Sequence, residues 1–188
     1  MRPSPKRETL LDAAWRLFYR DGFHAVGIDT VLAEAGVAKM TLYNHFASKE
    51  DLIVAVLERR AEQFEGSLTS AIEAAGSNPM KRLLAFFDWH AEWLRSPDFN
   101  GCVFIKAVAE FPQADAKPHQ VAAAHKIRIH QLLESLLKGL GIRQPALLAR
   151  QLELLTEGAI VSAHTHGRPE AARDARTAAE ALVHARLS

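Results

Sequence analysis

Between Lys39 and Lys49 the chain sets out side chains suited to non-covalent chemistry. Lys39, Thr41, Tyr43, Asn44 and His45 bring an ammonium, a hydroxyl, a phenol, an amide and an imidazole to the outer face of one short segment. Groups of this kind meet phosphates and base edges. Residues able to do covalent or metal chemistry are scattered instead: one cysteine, Cys102, a carboxylate, Glu110, between apolar neighbours, and histidines along the second half. No paired-carboxylate motif, HExxH metal site, nucleophile elbow or phosphate-cradling glycine loop is present, so neither catalysis nor a cofactor is expected.

The elements that must position the first group lie between Gly22 and Leu52. Ile28, Val31, Leu32 and Ala35 fall at the spacing that lines one face of a short amphipathic helix. Gly36 then ends that helix as a C-cap, and Leu42 and Phe46 anchor a second one a few residues later. Two short helices meeting at a tight glycine turn make a helix-turn-helix, the motif that lays its second helix in the DNA major groove. A further helix opens at Ser48-Lys49-Glu50-Asp51, where Ser48 is a cap and an acid follows three residues later, Asp in place of the Glu or Gln of a capping box. Lys49 sits poorly with the dipole of that helix start, but is well placed if a DNA phosphate lies there.

These residues resemble the DNA-binding domain of the tetracycline-repressor (TetR) family of bacterial regulators over roughly residues 7 to 55. The likeness is carried by Ala35-Gly36-Val37, Thr41-Leu42-Tyr43-x-x-Phe46 and Ser48-Lys49-Glu50-x-Leu52. It implies that Tyr43 and Lys49 hold phosphates, and that Lys39, Met40, Thr41, Asn44 and His45 approach bases or backbone. Three positions depart from the family pattern. Gly27 replaces the usual Ser or Thr cap, at small cost. Ala38 replaces a frequent Ser and offers no acceptor to the free N–H groups of the recognition helix. Asp29 stands where an Arg or Thr often contacts DNA, and is expected either to face away from the duplex or to read a base, the first being favoured.

Composition fits without requiring this reading. The 188 residues carry a net charge of only +1. Among the first fifty, Arg2, Lys6, Arg7, Arg16, Arg20, Lys39 and Lys49 face six acids, a thin positive excess. A lone cysteine suits a reducing cytoplasm, and no apolar run reaches membrane-spanning length. The expected fold is all-α, about nine helices, with an N-terminal three-helix helix-turn-helix domain over residues 1–50. Residues 51–188 are expected to form a larger effector-binding and dimerisation domain.

In that second part, Met80 to Arg95 places Leu83, Phe86, Phe87, His90, Trp93 and Leu94 on one broad face, which serves either as core or as the wall of an apolar pocket. Phe104, His125 and Ile129 are further candidates for such a lining, and Glu110 for orienting a polar ligand group or staying in solvent. Cys102, at the start of a short helix ended by Pro112, is either inert or an electrophile and oxidant sensor; no basic neighbour is evident. A long helix from Lys117 to Lys138 carries Val121, Ala124, Ile127 or Arg128, Leu132, Ser135 and Leu136. His125 and His130 on it are spaced wrongly for a shared metal, and with His164 and His166 read as structural or solvated histidines.

The last two helices, about 144–164 and 170–186, are respectively too apolar for solvent and lined with alanines. In the TetR family the corresponding pair forms a four-helix interface between subunits. A two-fold dimer fits a palindromic operator on double-stranded DNA. The expected function is a repressor released by a small, apolar or aromatic effector. The alternatives are a sensor acting through Cys102, or a DNA-binding activator without an effector.

Overall fold

The computed structural model describes residues 4–187, and all regular structure among them is helical: α1 Pro5–Asp21, α2 Ile28–Ala35, α3 Lys39–Tyr43, α4 Lys49–Ala74, α5 Pro79–Leu94, α6 Val103–Glu110, α7 Lys117–Gly139, α8 Pro145–His166 and α9 Ala171–Leu187. Arg2 lies outside the described residues. The chain does not divide at residue 50. One compact unit comprises Met1–Glu62 with Val103–His125, the other Gln63–Cys102 with Lys126–Ser188. The border falls inside α4 and α7, both long helices with no breaker there, and α6 belongs with the N-terminal segment.

In the first unit Pro5 occupies the first turn of α1, where its missing N–H costs nothing, while the Ser4 hydroxyl makes no capping bond. Helix α1 buries Leu10, Leu11, Ala14, Leu17 and Phe18 and packs on both α2 and α3. Helix α2 buries Val31 and Leu32 with Ile28 and Ala35 half-buried, and α3 buries Leu42. Between them Gly36 takes a left-handed φ of 63° and sends its N–H back to the carbonyls of Leu32 and Ala33, closing α2 in a conformation strained for any side chain. At the start of α4 the Ser48 hydroxyl accepts from Asp51 N–H at 3.0 Å and donates to the Asp51 carboxylate at 2.9 Å. The shorter acid thus closes on the Ser48 side chain, a variant of the expected box.

The second unit has one core. Phe64, Leu68 and Ile72 of α4, Leu83, Phe86 and Phe87 of α5, Leu133 and Leu137 of α7, Leu148 and Leu152 of α8, and Ala179 and Val183 of α9 interlock in it. Helices α8 and α9 pack on each other and both on α5. Helix α7 turns differently from the expected register: beyond Pro118 its buried positions are Ala122, His125, Ile129, Leu133, Leu136 and Leu137, while Ile127 and Arg128 are exposed. A small Ala and a His hold the inward stripe, and they carry little weight in a reading based on large aliphatics.

Candidate nucleic-acid interface

Helix α3 turns Leu42 inward and leaves its other side chains outward. Met40 is 72% exposed and Tyr43 46% exposed, a large apolar and a large aromatic side chain held in solvent on a five-residue helix. Lys39 and Asn44 are exposed, Thr41 and His45 half-buried. Neither Gly27 nor Ala38 supplies a side-chain cap to the N–H groups that open α2 and α3. The remaining cations of the N-terminal helices are largely committed: Arg7 meets Glu8, Arg16 meets Glu34 at 3.0 Å, Arg20 meets Asp21 at 2.8 Å, and Lys39 meets Asp29 at 3.7 Å. That contact brings the Asp29 carboxylate beside the first residue of α3.

Lys49 is tied to the turn before α2. Its Nζ donates to the carbonyl of His24 at 3.4 Å, and partial burial pushes the ammonium below the ordinary lysine range, with Glu110 opposing that shift. Glu110, the last residue of α6, organises the same turn: its carboxylate accepts from Phe23 N–H at 2.9 Å and His24 N–H at 2.7 Å, while its carbonyl lies 2.8 Å from His24 Nε2. Phe111 then places its ring 5.9 Å from Phe23 and 4.7 Å from His24. Lys106 adds a bond to the Tyr19 carbonyl at 2.9 Å. Gly22, at φ 90°, lies so close that an added Cβ would sit 3.0 Å from Glu110 Oε1. Glu110 therefore orders the turn that leads into the motif, a role beyond the solvated charge or ligand-orienting group expected of it.

The other candidate lining residues are distributed over both units. In the second, Phe86 and Phe87 are fully buried in the core, Ile129 is buried beside them, and His90 bonds through Nδ1 to the Phe86 carbonyl at 2.8 Å. Half-buried Trp93 meets Phe64 and Phe99 edge-to-face and Trp89 in a tilted contact. In the first unit Phe104 and His125 stack with ring centroids 3.8 Å apart. Cys102 is buried. Its basic neighbour, hidden in the sequence, is Lys126: burial works against this ammonium, but Cys102 and then Glu157, at 2.5 Å, outweigh it and hold Lys126 above the usual lysine range.

A profile of bacterial regulatory proteins of the tetR family matches residues 10–56, and one of tetracyclin repressor-like C-terminal domains matches residues 79–179. The chain belongs to the TetR family. Its fold overlays a TetR-family transcriptional regulator of Streptomyces coelicolor, SCO4454, with a TM-score of 0.94 at 30% identity, covering 100% of this chain and 92% of that one. Among curated TetR-type relatives, the transcriptional activator FasR of Mycolicibacterium smegmatis is 37% identical over 45% of this chain and 40% of its own. The transcriptional repressor NemR of Escherichia coli K12 is 31% identical over 55% of this chain and 53% of its own. The chain thus spans from two-fifths to about half the length of these curated relatives. These relatives are named as regulators rather than enzymes. Among the described residues no helix is long and apolar enough to cross a membrane, and no cluster of residues is arranged to hold a metal ion.

Proposed function

We propose that the chain is a DNA-binding transcriptional regulator of the cytoplasm that works as a homodimer: a repressor released from a palindromic operator by a small apolar or aromatic effector. The observation that carries the DNA-binding reading is the outward face of α3, held by the left-handed turn at Gly36 and ending in exposed Met40 and Tyr43. Met40 suits the methyl group of a thymine, Asn44 an adenine edge, and Tyr43 and Lys49 the phosphates. Support for the dimer comes from α8 and α9. Leu154 and Val161 are 73% and 50% exposed, beside a groove of about 360 Å³ lined by Leu155, Gly158, Ala171 and Ala175. An apolar, small-residue face of this kind on a helix pair matches a second copy of itself across a two-fold axis. For release, an effector that changes DNA affinity a hundredfold must prefer one state by about 2.7 kcal/mol.

The test is fluorescence anisotropy on a labelled duplex across a salt series. Lys49→Ala and Tyr43→Ala should weaken binding to every sequence, and Lys49→Ala should reduce the slope of log affinity against log salt by about 0.9 per chain. Tight wild-type binding with an unchanged slope in Lys49→Ala removes Lys49 from the phosphate contacts. A second reading, sensing through Cys102, is favoured by one observation, the ammonium of Lys126 held against that buried thiol. Cys102→Ser then abolishes release by thiol reagents, whereas release by an apolar effector survives it.

A further inference from the structure

Resting on the DNA-binding function proposed above, we infer that Asp29 and Lys39 act together as a single base-reading pair, and that the pair selects a G·C base pair with the cytosine facing Asp29. The starting point is an anomaly of charge. A DNA-facing surface gains little from a carboxylate, because every phosphate repels it, yet the Asp29 carboxylate is 87% exposed and 3.7 Å from the ammonium of Lys39, the first residue of the recognition helix. It is not there to hold the fold, since a pair this exposed contributes little to stability. In the duplex major groove, the hydrogen-bond donors open to a carboxylate are the amino groups of bases, and cytosine N4 is the one acidic side chains take. Lysine, in turn, takes the O6 and N7 acceptors of guanine. A donor and an acceptor held about this far apart match the guanine acceptors and the cytosine amino group that lie side by side on one base pair.

The rest of the surface makes such a device useful. Among the described residues Arg7, Arg16 and Arg20 each lie against an acid, which reduces the positive charge open to sequence-independent attraction. By holding Lys39 back from the phosphates, Asp29 lowers binding to all DNA but raises the contrast between right and wrong bases. Asp29 stands in the first turn of α2 after Gly27, and Lys39 opens α3 beyond the Gly36 turn, so the pair joins the starts of the two helices of the motif.

Selection from a randomised duplex library with the full-length wild type, Asp29→Ala, Asp29→Asn and Lys39→Ala decides the matter. Asp29→Ala and Lys39→Ala should relax the same base-pair position and its two-fold mate, lowering discrimination there by about tenfold. Asp29→Asn, which keeps an acceptor and adds donors, should move that position toward adenine. If Asp29→Ala tightens binding uniformly and leaves the enriched motif unchanged, or if the two alanine variants relax different positions, the pair does not read a base. A wild type that enriches no sequence instead overturns the DNA-binding reading beneath it.

Discussion

Removing the carboxylate of Glu110 should loosen the turn that leads into the helix-turn-helix, and the size of the effect follows from two bonds. Phe23 N–H and His24 N–H donate to the two carboxylate oxygens at 2.9 and 2.7 Å. Hydrogen bonds to a charged group contribute about 1.5–3 kcal/mol each. Water can replace the bond to exposed His24 but not readily the one to Phe23, which is fully buried, so Glu110→Ala should cost about 2 kcal/mol in all. For a chain of this size that lowers the melting temperature by about 4–8 °C. Glu110→Gln keeps one acceptor and turns an amide donor toward the other N–H, so it should fall between. Scanning fluorimetry at neutral pH gives the melting temperatures, and anisotropy on a fixed duplex should show weaker binding, since Lys49 bonds to the same His24 whose backbone the carboxylate holds. A Glu110→Ala melting temperature within about 1 °C of wild type would refute the assignment.

Three other outcomes follow from single contacts. Leu154→Glu should weaken self-association at least about a hundredfold by sedimentation, since each Leu removed from an interface costs about 1.5–3 kcal/mol and two-fold symmetry doubles it. Lys117 and then Ser48 hold the Asp51 carboxylate below its usual range, so its contribution is present above about pH 3.9 and fades as pH falls through the lower folded value. The gap in melting temperature between wild type and Asp51→Asn should therefore narrow as pH falls below about 3.9. Amide exchange should show α3, uncapped at Ala38 and one turn long, opening more readily than α2 in the absence of DNA; equal protection would contradict this.

What could be read from the sequence was whatever depends on near neighbours. Gly36 as a left-handed cap, Ser48 at the head of α4, the broad buried face of α5 and the apolar character of α8 all rest on spacings of a turn or two. The misses are contacts with distant or backbone partners. Glu110 meets N–H groups 87 and 86 positions away, and a peptide N–H leaves no mark in the residue types. Lys126 has no visible link to Cys102 until α7 is placed. The border expected at residue 50 failed because α4 crosses it unbroken and because α6, far along the chain, completes the first unit through Glu110 and Lys106. The contact of Asp29 with Lys39 was likewise hidden, since the two stand on opposite sides of the Gly36 turn.

The most direct test of the central claim is to select duplexes from a random library with wild-type protein at near-physiological salt and to weigh the complex formed on the enriched duplex by native mass spectrometry. A DNA-binding homodimeric regulator predicts a palindrome whose half-sites are about one helical turn apart, or a multiple of it, bound by an even number of chains. No enriched sequence from a well-folded dimer, or a single chain on a non-palindromic site, would contradict the account.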